Sequence, residues 1–394
     1  MRPLEGLVIL DLARVLACPF ASMILAELGA SVIKVEQPGA GDETRSFEPQ
    51  LAVDSAYYFA CNRSKSSITV NLRSPEGQQV IRELAAGVDV LVENFPSGTF
   101  KRYGLDYAVL SAMHPRLVYL SCTGFGQTGP YRRKKGYDTV FQAMGGLMSL
   151  TGEKGGGPVK PGLPVADLTS GLWVAIAILA SLAGRERTGK GCYVDFSMLD
   201  GQVSLLTLAA ARYFALGEVP PRLGTEHPGR VPTATFCCSD GKYLHITASD
   251  QHWAPLCKAL SLEDWGAQPQ FAANDLRVAN RDVIMPKLTQ TIVGWKRDEL
   301  IAALDAVEVP AGPVNDVAEI LNDPHVAARG LVGEFEYPGV GVFKALGLPY
   351  KFEGFDNPEV GRPPTLGEHT NEVLMQRLGY TKDKIAHLRE VKAL

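Results

Sequence analysis

Gly6-Leu-Val-Ile-Leu-Asp-Leu12 and Ser31-Val-Ile-Lys-Val-Glu36 are two short apolar segments on either side of an apolar helical pattern, residues 17–29. Both segments have the length and the branched residues of strands buried in a sheet. Between them, Pro19 stands near the first turn of a helix and Gly29 follows the last turn, as is usual at helix ends. Strand, helix and strand in this order predict a parallel βαβ unit and therefore an α/β fold.

The same alternation continues well beyond the first unit. It predicts these further elements: strand 67–72, helix 75–86, strand 88–92, helix 106–113, strand 117–121, helix 172–183, strand 192–197 and helix 198–215. Repeated βα units of this kind build a doubly wound, Rossmann-like parallel sheet.

The pattern changes after about residue 218. Strand-like pieces at 235–238 and 242–248 are followed by short helices from 251 to 305, which predicts a smaller α+β domain. We therefore expect a large α/β domain from residues 1–205 and 330–394 and a small domain from residues 222–310. Residues 206–221 and 311–329 are the predicted linkers.

The composition is that of a soluble globular protein, with 46% hydrophobic and 21% charged residues. A formal charge of −4 gives no support for electrostatic binding to nucleic acid. The longest apolar run, 171–183, is too short to predict a membrane span, and no signal peptide is visible. Seven cysteines without C-x-x-C spacing indicate free thiols in a reducing compartment and no metal site. We expect a cytoplasmic protein.

Two segments resemble nucleotide-binding motifs but lack residues that these motifs require. The glycine fingerprint of a dinucleotide site is absent from the first unit, where Ala13-Arg-Val-Leu-Ala-Cys-Pro19 joins strand to helix. Gly184-Arg-Glu-Arg-Thr-Gly-Lys-Gly191 resembles a phosphate-binding P-loop but ends in glycine instead of serine or threonine. We interpret it as a turn from helix to strand.

Asp167 is the main candidate for chemistry, in Pro161-Gly-Leu-Pro-Val-Ala-Asp167-Leu-Thr-Ser-Gly171. This segment lies where a loop rich in glycine and proline gives way to an apolar helix. Its carboxylate is either a helix cap, accepting N–H groups of the first turn, or a nucleophile in a poorly hydrated site. The local residues leave both roles open.

Nine short segments together resemble one known family, the class III CoA-transferases, which includes formyl-CoA transferase and carnitine CoA-transferase. The resemblance runs from about residue 4 to the C-terminus. The segments are Asp11-Leu-Ala-Arg-Val-Leu-Ala-Cys-Pro19, Leu28-Gly-Ala-Ser-Val-Ile-Lys-Val-Glu36, Gly41-Asp-Glu-Thr-Arg45, Asn62-Arg-Ser-Lys65, Glu93-Asn-Phe95, Gly124-Phe-Gly-Gln-Thr-Gly-Pro130, Gly136-Tyr-Asp138, Ala166-Asp167 and Gly367-Glu-His-Thr370.

The resemblance implies that Asp167 attacks an acyl-CoA thioester and that CoA passes to a free carboxylic acid through aspartyl intermediates. It implies coenzyme A or acyl-CoA as a substrate, with no tightly bound cofactor, and an interlocked homodimer. Such chemistry needs a partly desolvated carboxylate, N–H donors for each oxyanion and exclusion of water.

The resemblance also assigns positions around coenzyme A. Arg102 and Lys135 suit pairing with phosphate, although most such cations are solvated surface charges. The full set of positions is Val15, Ala17, Gln37, Val70, Asn94, Phe95, Arg102, Lys135, Tyr137 and Met198.

Several positions depart from the family pattern. Leu16 replaces a glutamine of formyl-CoA transferase, Gln37 replaces a basic residue, and the loop 224–232 replaces a glycine-rich loop. Tyr137 stands where related acyl-CoA racemases have a histidine, and a phenol with an ordinary pKa near 10 is a poor exchange base.

The sequence therefore predicts a class III CoA-transferase, a transferase of sulfur-containing groups. Arg230, in the altered loop, could pair with the distal carboxylate of a dicarboxylate such as succinate. An acyl-CoA racemase or epimerase, or a CoA-binding protein without catalysis, are the alternatives.

Overall fold

The computed structural model describes residues 1–394 and divides into two compact units. The first unit comprises Met1–Leu147, Lys160–Ala211 and His325–Leu394. The second unit comprises Met148–Val159 and Arg212–Pro324. Each unit encloses its own cluster of buried apolar side chains.

The first unit is built on a six-stranded parallel sheet with the order β3-β2-β1-β4-β5-β6. Its strands are β1 (Val8–Asp11), β2 (Ser31–Glu36), β3 (Ser66–Thr69), β4 (Val90–Glu93), β5 (Val118–Thr123) and β6 (Tyr193–Ser197). The register places Asp11 beside Lys34 on one neighbouring strand and Val92 on the other. Along the chain, β2 and β3 are added on one side of β1, whereas β5 and β6 are added on the far side of β4. The direction in which strands are added therefore reverses between β1 and β4. The predicted doubly wound α/β fold is confirmed.

Helices cover both faces of this sheet. The helices of the chain up to residue 216 are α1 (Ala17–Glu27), α2 (Ala56–Asn62), α3 (Pro75–Ala85), α4 (Thr99–Arg102), α5 (Tyr107–Met113), α6 (Asp138–Met144), α7 (Leu147–Leu150), α8 (Val165–Thr188), α9 (Met198–Ser204) and α10 (Thr207–Leu216). Successive residues of β1 point to opposite faces. Ile9 therefore packs with α1 and α8, whereas Leu10 packs with α3 and the C-terminal helices.

Helix α8 begins seven residues earlier than the apolar pattern predicts, at Val165 instead of 172. It has the length and composition of a membrane-spanning helix. One face, however, is buried against α1 and the sheet, including Val174 and Ile178, as in the core helix of a soluble protein. Asp167 is consequently the third residue of the helix, and the N-cap position belongs to Pro164.

A buried ionic cluster joins the sheet to the loop after β2. The guanidinium of Arg45 contacts both carboxylate oxygens of Glu36, at 2.7 and 2.8 Å, and Asp54 at 2.8 Å. It also donates to the Tyr58 hydroxyl at 2.6 Å and to the carbonyl of Pro364 at 3.2 Å. Because Pro364 comes from the C-terminal segment, this one side chain ties distant parts of the first unit together.

The second unit contains a three-stranded antiparallel sheet with the order β7-β8-β9. Its elements are β7 (Thr233–Cys237), β8 (Tyr243–Thr247), α11 (Asp250–Ala259), α12 (Glu263–Gly266), α13 (Asn274–Ala279), α14 (Arg281–Ile292), α15 (Arg297–Asp305), β9 (Ala311–Pro313) and α16 (Val317–Leu321). Helix α17 (Pro324–Ala328), the antiparallel pair β10 (Val332–Tyr337) and β11 (Gly341–Leu346), and helices α18 (Thr370–Leu378) and α19 (Lys382–Glu390) follow.

The segments predicted as linkers contain regular structure. Residues 206–221 include helix α10, which is separate from α9, so the single predicted helix 198–215 is two helices. Residues 311–329 include β9, α16 and α17. Residues 148–159 belong to the second unit although they lie far from it in sequence.

Candidate active site

The point where the sheet topology reverses is spanned by direct hydrogen bonds. The backbone N–H of Arg14, in the loop after β1, donates to Asn94 Oδ1 at 2.9 Å, and Asn94 Nδ2 donates to the Arg14 carbonyl at 2.8 Å. The Arg14 guanidinium lies 4.6 Å from the ring centroid of Phe95. Ligands of open parallel sheets bind in the crevice at such a point. The structure therefore brings Val15, Asn94 and Phe95 together where a nucleotide is expected.

The loop after β1 is held in a strained conformation. Val15 has a φ of 68°, a left-handed value that is costly for a β-branched residue. Its N–H donates to both carboxylate oxygens of Asp42, each at 3.3 Å. Lys34, wholly buried on β2, donates to Asp42 at 2.8 Å and to the Ala13 carbonyl at 3.0 Å. This buried ion pair fixes the backbone between Ala13 and Val15.

Helices α1 and α8 approach closely beside this loop. A Cβ atom at Gly171 would lie 2.7 Å from the carbonyl oxygen of Ala17, so glycine is needed there for the two helices to pack. Ala17 is thus in contact with α8 one turn beyond Asp167. The N-cap residue of α1 is Leu16, which supplies no side-chain cap. The first-turn N–H groups of α1 are therefore available to an anion.

Asp167 is not a cap, because another carboxylate has that role. Asp138 Oδ1 accepts the N–H of Ala166 at 2.9 Å and the N–H of Asp167 at 3.2 Å. Asp138 Oδ2 accepts from Gln142 at 2.5 Å. Burial, and secondarily the negative charge of Asp138, raise the pKa of the Asp167 carboxyl to about 7. The result is a partly buried, weakly solvated carboxylate, as a carboxylate nucleophile requires.

Tyr57 on α2 also faces this region. Burial, followed by Cys61 and Asp167, raises the pKa of its phenol to about 12, which keeps the hydroxyl protonated. Neither Tyr57 nor Gln142 is indicated by the sequence, because both lie in apolar helical patterns. Asp138 belongs to the segment Gly136-Tyr-Asp138, but no local pattern assigns it to a helix that begins at residue 165.

Most of the predicted CoA-contacting residues follow the carboxyl end of a strand or lie at the start of the next helix, whereas Arg102 ends α4. Gln37, directly after β2, is exposed, and Val70, after β3, is 1% exposed within the core. Arg102, at the end of α4, is exposed and donates to Thr99 Oγ1 at 3.3 Å. The loop after β5 carries Lys135, which is exposed, and leads to Tyr137, which is 79% exposed.

Met198 begins α9 directly after β6 and is nearly buried. Since adjacent strands lie about 4.8 Å apart, the edge from β3 to β6 extends over roughly 24 Å. That length suits an extended ligand. No group of three or more His, Cys, Asp or Glu side chains is placed to hold a metal ion.

In the second unit, the loop 224–232 is fixed by two helices. Asn274 donates to the Gly229 carbonyl at 2.9 Å and accepts the Val231 N–H at 3.2 Å. Arg281 pairs with Glu226 at 2.5 Å and donates to the carbonyl oxygen of His227 at 2.7 Å. Arg230 itself is exposed, and its guanidinium makes no hydrogen bond or ion pair within the chain. Its guanidinium is therefore available on a loop of fixed backbone.

Known proteins resemble the chain over almost its whole length. CoA-transferase family III matches residues 4–370. The succinyl-CoA:glutarate CoA-transferase of Homo sapiens is 40% identical over 389 residues, covering 98% of this chain and 89% of that protein. The succinate–glutarate CoA-transferase of Agrobacterium fabrum is 38% identical, covering 95% of each.

A solved structure agrees with the fold. The crystal structure of a CAIB/BAIF family protein from Brucella suis is 41% identical and superposes with a TM-score of 0.85, covering 95% of this chain and 99% of that one. The family predicted from nine short segments is confirmed. The chain belongs to CoA-transferase family III and is a CoA-transferase.

Proposed function

We propose that the enzyme transfers CoA from succinyl-CoA to a second dicarboxylic acid, with Asp167 as the covalent nucleophile. The observation that carries the role of Asp167 is its side chain: partly buried, without a capping function, and with a pKa raised to about 7. A carboxylate of higher basicity and weaker hydration is a better nucleophile towards a thioester carbonyl. The relatives that act on succinyl-CoA and on glutarate or mesaconate support the substrate class.

The reaction proceeds by four balanced exchanges. The Asp167 carboxylate attacks the thioester carbonyl, the C–S bond breaks, and CoA thiolate leaves an aspartyl anhydride. The thiolate then attacks the aspartyl carbonyl and releases succinate, which leaves an aspartyl-CoA thioester. The acceptor carboxylate repeats the first exchange on this thioester, and the thiolate finally attacks the acceptor carbonyl. The new acyl-CoA leaves and Asp167 is regenerated, with no net proton transfer.

Stabilisation of the oxyanions is expected from α1 rather than α8. Asp138 already accepts the N–H groups of Ala166 and Asp167, so these two N–H groups in the first turn of α8 are not available to an oxyanion. The N–H groups of Ala17 and Cys18 have no acceptor within the chain. Preorganised backbone donors of this kind are usually the largest single contribution to acyl transfer.

Covalent trapping tests this proposal. The enzyme is mixed with succinyl-CoA, quenched with hydroxylamine or borohydride, digested and analysed by mass spectrometry. We expect a mass change confined to the peptide that carries Asp167. Unmodified Asp167 in an enzyme that turns over at full rate would refute the covalent role.

Arg230 is proposed to pair with the distal carboxylate of the dicarboxylic acceptor. Loss of one charge-assisted contact corresponds to about a tenfold change in affinity. We therefore expect Arg230→Ala to raise the KM for a dicarboxylic acceptor about tenfold and to leave the KM for a monocarboxylic acceptor nearly unchanged. Arg73→Ala removes another exposed arginine and serves as the control. An unchanged dicarboxylate KM would contradict the role of Arg230.

We also propose that the enzyme is a cytoplasmic homodimer. Its seven cysteines are free, as is typical of a reducing compartment. Large apolar side chains are exposed on and after α10, with Leu208 84%, Phe214 82% and Val219 79% exposed. Surfaces of this kind mark protein–protein contacts. Sedimentation should give about twice the 42.5 kDa chain mass, and a monomer mass would contradict the dimer.

A further inference from the structure

Gln142 is a wholly buried polar residue on α6, the helix that begins at Asp138. It lies four residues after Asp138 on α6, so both side chains occupy one face of the helix. Its Nε2 donates to Asp138 Oδ2 at 2.5 Å and to the Leu163 carbonyl at 3.3 Å. Its Oε1 has no partner. An apolar side chain would avoid that unsatisfied oxygen, so the N–H donation is what distinguishes glutamine here.

Asp138 connects Gln142 to the first turn of α8. One carboxylate oxygen accepts from Gln142, and the other accepts the N–H groups of Ala166 and Asp167. In all of these hydrogen bonds the carboxylate oxygens of Asp138 are the acceptors, as expected of a carboxylate without a proton. Without the amide, rotation about the Cβ–Cγ bond of Asp138 would no longer be restrained on the side away from α8.

We infer that Gln142 is a positioning residue for Asp167, acting through the orientation of the Asp138 carboxylate. This inference rests on the proposed role of Asp167 as the nucleophile. Small errors in the placement of a reacting group slow such reactions strongly, since a displacement of about 1 Å can lower the rate on the order of 100-fold. The contact also fixes the charge of Asp138 beside Asp167, which contributes to the raised pKa of the Asp167 carboxyl.

The titratable groups that interact with Asp167 come from two other helices. Asp138 is on α6 and Tyr57 is on α2. Asp138 is the charged group that raises the pKa of Asp167, and Asp167 in turn contributes to the raised pKa of Tyr57. A change at Gln142 therefore reaches Asp167 chiefly through Asp138.

The chain offers a matched control in Gln202 on α9. This residue is also wholly buried, its Nε2 donates to Thr169 Oγ1 at 3.0 Å, and its Oε1 also has no partner. It makes no hydrogen bond to Asp138. Gln142→Met and Gln202→Met each replace an amide by a thioether of similar length, so a merely structural role would affect both alike.

The test is the pH profile of kcat for the two variants with succinyl-CoA as donor. Gln142→Met is expected to lower kcat about tenfold or more, with the KM for succinyl-CoA changed less than twofold. Its acidic limb should move to lower pH, because Asp167 loses part of the repulsion from Asp138. Gln202→Met should retain the parent profile. Coincident acidic limbs, or equal losses of kcat, would overturn the inference.

A second variant keeps the inference testable if Gln142→Met does not fold. Gln142→Glu retains the shape and donates to Asp138 only when protonated. Its kcat relative to the parent should fall as the pH rises, and a constant ratio would overturn the positioning role. Covalent trapping in the parent enzyme separates the two hypotheses. Absence of the Asp167 adduct refutes the nucleophile, whereas a normal adduct with unchanged variant profiles refutes Gln142 alone.

Discussion

Replacement of Asp167 by asparagine is expected to reduce CoA transfer by at least about 10⁴-fold while the enzyme becomes more stable. Removal of a covalent nucleophile typically has an effect of this size, because binding and oxyanion donors alone give little turnover. Binding of CoA should persist, since the predicted contacts at the reversal of the sheet topology do not involve the carboxylate. Steady-state assays and calorimetric titration with CoA measure the two effects.

The gain in stability has a definite pH dependence. The pKa of Asp167 is raised from 3.8 to about 7 in the folded protein, so ionisation is less favourable folded than unfolded. The unfavourable contribution is absent below about pH 4, grows as the pH rises and is complete above pH 7. Asparagine removes this unfavourable contribution. The free energy of unfolding should therefore rise by about 1–3 kcal/mol at pH 8, after allowance for partial exposure, and hardly at all at pH 4.

Asp200→Asn is the matched control for this substitution. Asp200 is likewise the third residue of a helix, α9, but its side chain is exposed. Its replacement should change kcat less than twofold and stability by less than about 0.5 kcal/mol. Substantial CoA transfer by Asp167→Asn would contradict the nucleophilic role, and equal stability at pH 4 and pH 8 would contradict the electrostatic account.

The substitution Arg45→Met should give a large loss of stability, about 3–5 kcal/mol. Arg45 is buried against Glu36 and Asp54, and removing it leaves two carboxylates without their counter-ion. The tie to Pro364 in the C-terminal segment is lost as well. Urea unfolding followed by circular dichroism measures the change.

Arg116→Met provides the comparison, because the Arg116–Glu186 pair is about half exposed on the arginine side. A surface pair of this kind contributes roughly 0–1 kcal/mol. Similar losses for both substitutions would show that burial does not strengthen the Arg45 cluster.

The sheet and most of its helices could be predicted from the sequence, because buried parallel strands are short apolar runs between helical patterns. Ser31-Val-Ile-Lys-Val-Glu36 illustrates both the success and its limit. The strand is evident, yet Lys34 and Glu36 are buried only because Asp42 and Arg45 fold back onto them from the following loop. Such pairing is a tertiary contact that no strand pattern contains.

The start of α8 was beyond local sequence reasoning for a similar reason. Pro161, Gly162 and Pro164 suggest a loop, and the apolar pattern becomes clear only at Leu172. The cap that begins the helix comes from Asp138, 28 residues away from Ala166. Sequence segments far from Asp167 identify it as the candidate nucleophile. Only the structure shows that Asp167 does not cap the helix, because Asp138 accepts the first-turn N–H groups.

The strained loop at Val15 has a consequence for the thermodynamics of ligand binding. Ordering one backbone residue costs about 1–2 kcal/mol of conformational entropy, and a mobile binding loop incurs that cost when the ligand arrives. Here Asp42, Lys34 and Asn94 hold the loop from both sides through contacts within the chain itself. The conformational entropy of the loop is therefore lost on folding, and a CoA thioester bound at the contacts proposed here would retain more of its contact energy as affinity.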